Sequence, residues 1–243
     1  MFSPGDTPRV FALPPGSDFP RHLVTGLLDR MVDHPPEALA RVTLYVNTRR
    51  MQRRIREVFD DQGARLLPRL RLITDLGSEP LPDLPPPVPP LRRRLELAQL
   101  VARLIEQQSD FAPGTAIYDL ADSLARLMDE MQGEGVPPEA LDTTALAENH
   151  AAHWERSLKF IRLVSRYFAP DAAPDIEARQ RVVVETLIAR WQAAPPPDPV
   201  IVAGSTGSRG ATALFMQAVA RLPQGALVLP GFDYDMPEHV WTS

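Results

Sequence analysis

A dense set of arginines is the first chemical feature of the sequence. Nine arginines lie between positions 41 and 72, against only three carboxylates. Five of them fall within two helical turns, at Arg49, Arg50, Arg53, Arg54 and Arg56. Such a cluster neutralises phosphates and releases counterions, which gives salt-dependent binding with little sequence preference. Thr48 precedes the cluster and is a good helix cap, so backbone N–H groups could add contacts. The pattern predicts a nucleic-acid backbone site, with a solvated or ion-paired face and docking onto a protein partner as alternatives.

A loop rich in glycine and hydroxyl groups is the second feature. GSTGSRG, Gly204 to Gly210, lies between a predicted strand and a predicted helix. It matches neither G-x-G-x-x-G nor a P-loop. Backbone amides at a helix start can still bind an anion. The donors that we expect to contact a nucleic-acid backbone are Ser205, Thr206, Ser208 and Arg209. An ordinary strand-to-helix turn is the alternative.

Other chemistry is sparse. The chain has no cysteine, which excludes disulfides, thiolate metal sites and cysteine nucleophiles. Its one lysine, Lys159, lies in a helical pattern without glycine, which excludes a P-loop ATP site. His150 and His153 are three residues apart and close to Glu155, a spacing that can occur in metal sites. No further ligand lies at a sequence spacing typical of such a site. We therefore predict no catalytic residue, no cofactor and no metal in this chain.

Strands alternate with helices at both ends of the chain. Val10 to Leu13, Val42 to Val46 and Leu70 to Ile73 read as strands with helices between them. A strand–helix–strand pattern returns from Val200 to Leu229. This alternation favours an α/β fold with a parallel sheet of about five strands.

The middle of the chain changes to a helical period. Pro80 to Pro90 contains seven prolines and predicts a stiff boundary. No strand signal follows for about a hundred residues. Helices are predicted at Leu91–Glu106, Ile117–Met131, Trp154–Phe168 and Ile176–Trp191. We predict an α/β domain of residues 1–88 plus 196–243 and an inserted all-helical domain of residues 89–195. The α/β domain would lack its last crossover, so we expect a chain cut from a longer protein.

Composition limits the possible partners and compartments. The formal net charge of −5 argues against indiscriminate nucleic-acid binding, so any such contact must be local. The first residues, Met1 to Arg9, lack the apolar stretch of a secretion signal. No apolar run approaches the roughly 20 residues that span a bilayer. These features predict a cytoplasmic protein.

Several stretches together resemble the AddB family of alphaproteobacterial type, the B subunits of AddAB helicase–nucleases. They are VFALPPGSDF from Val10, RVTLYVNTRRMQRR from Arg41, LPRLRLITDLG from Leu67, residues 89–104, LMDEMQGEGVPP from Leu127, VIVAGSTGSRGATALFMQAVARL from Val200 and residues 227–237. The resemblance implies a fold like the first motor domain of superfamily 1 helicases, with its inserted helical subdomain. Where some family members carry a Walker-type loop, this chain has LPPGSDF, with one glycine, no lysine and Asp18.

The resemblance also implies a function. It implies a non-catalytic, DNA-engaging and scaffolding region of a subunit for double-strand-break repair, which works in the cytoplasm at the nucleoid. The implied partners are an AddA-type helicase/nuclease subunit, which would supply the ATPase, and DNA, in single-stranded or strand-end form. The family's nuclease metal site and iron–sulfur cluster would belong to a C-terminal region that is not in this sequence. Two other classes remain open: a phosphate- or nucleotide-binding enzyme domain that uses the Gly204–Gly210 loop, and a purely structural module.

Overall fold

A computed structural model describes residues 1–3, 7–81, 84–107, 117–141, 165–168, 172–208 and 210–241. Within it the chain divides into two compact units. The first comprises Met1–Leu76 with Val184–Ser243, and the second comprises Gly77–Val183.

The first unit is built on a parallel five-stranded sheet, which confirms the predicted α/β class. Its strands are β1 (Val10–Ala12), β2 (Thr43–Val46), β3 (Arg69–Leu72), β4 (Val200–Ala203) and β5 (Gly225–Leu229). Their spatial order is β1-β5-β4-β2-β3, and every neighbouring pair is parallel. All five carboxyl ends therefore lie at one edge of the sheet.

Helices cover both faces of this sheet, because its inner strands are apolar on both sides. α1 (Phe19–Asp29) and α2 (Arg49–Asp60) share a core with Leu44 and Val46 on one face. α6 (Gly210–Arg221) packs with Tyr45 and Val202 on the other face. The alternation along β2 sends successive side chains to opposite cores, as the period of two requires.

The outer strand β3 differs from the inner strands. Its two arginines, Arg69 and Arg71, are exposed, while Leu72 is buried. Charged side chains on an outer strand discourage pairing with a further strand. The last two arginines of the arginine-rich stretch, Arg69 and Arg71, thus place their charges on this outer strand of the sheet.

The second unit contains α3 (Pro90–Gln107), α4 (Ile117–Glu134) and the first half of α5 (Ile176–Ala193). α3 and α4 share a buried core that includes Leu97, Val101 and Met128. These helices confirm three of the predicted helical segments, and the described residues between β3 and β4 include no strand. The predicted helix at Trp154–Phe168 lies mostly outside the described residues, which include only its last turn, a 3-10 helix at Ser165–Phe168.

The second unit begins at Gly77, ahead of the proline-rich segment. The buried side chain of Arg179 on α5 binds the backbone of this segment. Its guanidinium donates to the carbonyls of Glu79 and Pro85, each at 2.8 Å, and to that of Gly77. Proline has no N–H to donate to a neighbouring strand, and in this irregular segment one arginine satisfies three backbone carbonyls.

This unit also contains a buried ion pair between Arg93 and Asp175. Arg93 on α3 lies 3.2 Å from a carboxylate oxygen of Asp175 and donates to the carbonyl of Ala173 at 2.8 Å. Burial raises the pKa of Asp175, and the neighbouring Arg93 opposes that shift.

Among the described residues, no helix is long and apolar enough to cross a bilayer.

Candidate functional site

The topology of the first unit identifies one crevice at the carboxyl edge of the sheet. The connection after β2 leads to β3 on one side, whereas the connection after β4 leads to β5 on the other. β2 and β4 are neighbours, so their following segments diverge and leave an opening between them. Ligands of open α/β sheets bind in such crevices, at the topological switch point.

Both segments that the sequence singled out begin at this crevice. Val46 pairs with Ala203 in the β2–β4 register, so Asn47 and Gly204 come next on adjacent strands. A Cβ added to Gly204 would stand 3.6 Å from Oδ1 of Asn47. The fold therefore brings together the start of the arginine helix and the glycine loop, which are about 150 residues apart in the chain.

The start of α2 faces the crevice with no acidic residue. Thr48 caps the helix, since its Oγ1 accepts a hydrogen bond from the N–H of Met51 at 3.2 Å. The first helical turn has no Asp or Glu and begins with Arg49 and Arg50. Partial positive charge at the helix N-terminus adds to the two guanidinium charges, so this end of α2 attracts anions.

The five arginines of α2 divide into two groups. Arg53 and Arg54 lie 3.9 and 3.3 Å from the carboxylate of Glu57, and Arg54 also lies 3.7 Å from that of Asp18. The other three are exposed and form no hydrogen bond or ion pair with any described residue: Arg49, Arg50 and Arg56. The ion-paired alternative therefore holds for two of the five, and three remain available to a partner.

The packing of α2 shows where each arginine points. Ile55, Val58 and Phe59 are buried against the sheet. At 100° per residue, Arg49 and Arg56 lie within about 20° of each other, on the same side of the helix as Gln52. The Gln52 side chain marks the β3 side of this helix, because its Nε2 donates to the carbonyl of Leu70 at 3.0 Å. Arg54 marks the opposite side, towards α1.

The glycine loop turns sharply at two positions. Gly204 and Gly207 have φ angles of +77° and +70°, which disfavour any residue with a Cβ. Ser205 is half-buried, and its Oγ accepts a hydrogen bond from the N–H of Gly207 at 3.3 Å. Thr206 and Ser208 are exposed at the loop surface. Three of the four expected donors thus lie beside the crevice, while Arg209 is outside the described residues.

The start of α1, at the same edge of the sheet, has the opposite character. Asp18 caps this helix by accepting a hydrogen bond from the N–H of Arg21 at 3.3 Å. Its other carboxylate oxygen lies 3.5 Å from Arg21 and 3.7 Å from Arg54. Pro20 removes one further N–H from the first turn. An internal carboxylate therefore occupies the position where an external phosphate would meet α1.

Sequence reasoning missed two elements of this site. Asn47 is exposed and polar at the end of β2, directly before the helix cap, and its place in the chain could have indicated it. The Asp18–Arg54 ion pair joins residues on different helices, so no local spacing could have found it. Within the described ranges no three His, Cys, Asp or Glu residues are placed to hold a metal ion. His150, His153 and Glu155 lie outside those ranges.

Comparison with known proteins gives no family assignment. No protein-family model matches the chain, and no curated protein matches it significantly. The chemistry of the crevice between β2 and β4 is therefore the main guide to function.

Proposed function

We propose that the chain is a non-catalytic, DNA-engaging and scaffolding region of a helicase–nuclease subunit for double-strand-break repair, similar to the N-terminal region of AddB. The observation that carries the proposal is the crevice between β2 and β4. There the start of α2, with the unpaired Arg49 and Arg50, meets a loop of exposed hydroxyl groups, and the unpaired Arg56 lies about two turns further along the same helix. Guanidinium, hydroxyl and helix N–H groups are the usual donors to nucleic-acid phosphates.

The electrostatics supports a local contact rather than a general affinity. The whole chain is acidic, with a formal net charge of −5, so long-range attraction to DNA is weak. Arg49, Arg50 and Arg56 are not neutralised by described neighbours and lie on a rigid helix whose other face is buried. A phosphodiester backbone that approaches the crevice meets Arg49 and Arg50 at the start of α2, and Arg56 lies about two turns further along that helix. The expected binding is sensitive to salt and tolerant of base sequence.

The test is a fluorescence-anisotropy titration of labelled single-stranded DNA at several salt concentrations. We expect the triple variant Arg49→Gln, Arg50→Gln, Arg56→Gln to lose most of the affinity. Each phosphate contact contributes about 0.7 to the slope of log K against log salt for a single strand, so the slope should fall by about 2. The substituted side chains are exposed, which leaves the core intact.

A matched control is present in the same chain. Arg103, Arg126 and Arg190 are exposed and have no partner among the described residues, and they lie on α3, α4 and α5. Their triple change to Gln removes the same charge from other helices. If both triple variants weaken binding equally, net charge rather than the crevice controls affinity and the proposed site is wrong.

A phosphate- or nucleotide-binding enzyme domain is the second candidate, favoured by the position of the Gly204–Gly210 loop at the switch point. Two contacts weaken it. The N–H of Gly207 already donates to Ser205, and the start of α1 is filled by Asp18. Calorimetry with a nucleoside triphosphate and with inorganic phosphate decides between the candidates. Binding of either that is lost in Ser205→Ala, Thr206→Ala would favour the second.

The third candidate is a module that only docks an AddA-type helicase/nuclease subunit. The same exposed arginines would then contact acidic side chains of that protein. No binding of single-stranded or duplex DNA by the intact chain at low salt, together with an arginine-dependent complex with that subunit, would establish docking and overturn the DNA contact.

A further inference from the structure

A cavity lies in the first unit, between α1 and the face of the sheet that this helix covers. Its volume is about 240 Å³. An apolar cavity of about 150 Å³ holds a benzene molecule, so this one has room for about ten non-hydrogen atoms. The apolar side chains that line it come from α1, the sheet and the first residues of the chain, and include Leu23, Leu27, Phe11, Ile201, Val228 and Phe2.

One wall of the cavity is built from the first residues of the chain. The side-chain amide of Gln224 binds the backbone of Phe2 through both of its polar groups. The N–H of Phe2 donates to Oε1 at 3.1 Å, and Nε2 donates to the carbonyl of Phe2 at 2.9 Å. The ring of Phe2 also stacks on that of Phe11, with 6.5 Å between centroids. These contacts fix the position of Phe2, so the cavity has a defined wall on this side.

Gly26 gives the cavity part of its space. It lies inside α1, where glycine is among the least favourable residues for a helix. It also lines the cavity, and a Cβ at this position would meet Nη1 of Arg30 at 3.6 Å, an ordinary contact distance. The helix therefore has room for a side chain here, and the glycine leaves open a volume that a larger residue would fill.

The charge at the cavity is positive. Arg30 and His22 are its polar lining side chains, and no carboxylate belongs to the lining within the part of the chain that the structure describes. The guanidinium of Arg30 donates to the carbonyl of Gly26 at 2.9 Å and lies 4.7 Å from the centroid of the Phe11 ring. Its other N–H groups have no partner among the described residues, so they are available to an anion at the rim of the cavity.

We propose that this cavity binds a small monocarboxylate with an apolar body, of about ten non-hydrogen atoms in all. The apolar body lies among the side chains of α1 and the sheet, and the carboxylate pairs with Arg30 at the rim. Removal of apolar surface from water supplies most of the affinity. The guanidinium selects a carboxylate, because it can donate two parallel hydrogen bonds to one. The inference goes beyond the proposed DNA contact and does not rest on it.

Octanoate is the probe for the test, since it combines a carboxylate with an apolar chain of suitable size. Isothermal titration calorimetry with the full 243-residue chain should show saturable binding of octanoate. Acetate lacks the apolar body and should not bind measurably. Octylamine has the same chain with a positive charge, so it should bind about fivefold more weakly than octanoate.

Filling the cavity tests where the probe binds. Gly26→Leu should lower the affinity for octanoate at least about tenfold, because the new side chain takes the place of several methylene groups of the ligand. This variant should be at least as stable as the parent in denaturant titration, since leucine favours a helix more than glycine does. Thr25→Leu is the matched control, which puts the same side chain at the exposed neighbouring position of α1 and should bind octanoate normally. Parental affinity in Gly26→Leu, or no saturable binding of octanoate to the parent chain, would overturn the proposed site.

A second set of variants tests the carboxylate. Arg30→Gln should weaken octanoate about threefold, the usual size of an exposed charge interaction, and should not weaken octylamine. Arg30→Lys keeps the charge and should retain most of the affinity. Arg21→Gln removes the same charge from an exposed position of α1 outside the cavity lining and should change nothing. Equal affinities for octanoate and octylamine, with an unchanged Arg30→Gln variant, would show that the carboxylate assignment is wrong.

The cavity and the crevice between β2 and β4 are separable in the same variants. Gly26→Leu leaves α2 and the glycine loop unaltered, so its affinity for single-stranded DNA should equal that of the parent. Octanoate binding by a chain that binds no nucleic acid would support the cavity and overturn only the DNA contact.

Discussion

Two helices start at the same edge of one sheet but differ in the charge of the residue that caps them. α1 is capped by Asp18, whose carboxylate also pairs with Arg21 and Arg54. α2 is capped by the neutral Thr48 and is followed by two arginines without a described partner. Both caps satisfy an N–H of the first turn, so they stabilise their helices in the same way. They differ in the charge that they leave at the surface.

The comparison shows how a helix start can be made unable to bind an anion without loss of its cap. A carboxylate at the cap position cancels the positive potential of the helix end from within the chain. At α1 this cancellation extends to Arg54, which belongs to the other helix. Arg49 and Arg50 at the start of α2 then supply the positive surface of this edge.

The largest expected effect comes from giving α2 the aspartate cap of α1. Thr48→Asp keeps a side-chain acceptor for the N–H of Met51 and adds a negative charge beside Arg49 and Arg50. We expect single-stranded DNA affinity to fall about tenfold at low salt, equivalent to ~1.4 kcal/mol, while the helix stays as stable as before. Anisotropy titrations together with circular dichroism during denaturation measure the two effects.

Thr48→Ser is the matched control, because it keeps both a cap and a neutral surface. It should bind DNA as the parent does. A Thr48→Asp variant with parental affinity would mean that no phosphate approaches the start of α2, and the contrast between the helices would then have no consequence for binding.

The next effect concerns the glycine loop beside α2. Gly204 has a φ of +77°, while a Cβ there would meet its neighbours at ordinary distances of 3.5 Å or more. Gly204→Ala should therefore lower the free energy of unfolding by about 1–2 kcal/mol through backbone strain rather than through a clash. Denaturant titration measures the loss. Gly26→Ala, in the middle of α1 and without a positive φ, is the control and should not be destabilising.

A smaller effect tests whether the two capping residues contribute equally to the free energy of unfolding. Thr48→Ala should lower the free energy of unfolding by about 1 kcal/mol, the usual contribution of an N-terminal cap. Asp18→Ala should cost a similar amount, because its two ion pairs are between exposed side chains and add little. Denaturant midpoints of the two variants should agree closely. A much larger loss for Asp18→Ala would show that the Arg54 pair stabilises the packing of α1 against α2.

The sequence predicted the elements of the first unit because their signals are local. The β-branched and aromatic residues of β2 and the apolar run of β4 identify strands, and Thr48 before the stripe of α2 identifies a helix start. The contacts of the segment that begins at Gly77 have no such local signal. Their donor is Arg179, which binds carbonyls about 100 residues earlier in the chain.

The candidate site was predictable in its parts but not in its pairing. Glu57 lies three and four residues after Arg54 and Arg53, so those ion pairs follow from helix geometry. The approach of Gly204 to Asn47 follows only from the strand order, which places β4 between β2 and β5. Similarly, the sequence located Asp18 at the position of a Walker-type loop, but it did not indicate the ion pair of Asp18 with Arg54.

The smallest expected effect on DNA affinity comes from removing the negative charge at the start of α1. Asp18→Asn keeps a cap, since an asparagine oxygen accepts the same N–H, and removes the negative charge that faces Arg21 and Arg54. Arg54 then keeps only its ion pair with Glu57, at 3.3 Å, so the net positive charge beside Arg50 rises. We expect a gain in DNA affinity of about threefold, or ~0.6 kcal/mol, within the range of a single exposed charge interaction.

The gain should disappear in the Asp18→Asn, Arg54→Gln double variant, because the released charge is then absent. It should also shrink as salt is raised, since both groups are exposed. Unchanged affinity in Asp18→Asn would mean that the bound strand does not extend from α2 towards α1. In that case only Arg49 and Arg56, on the β3 side of α2, would mark its path.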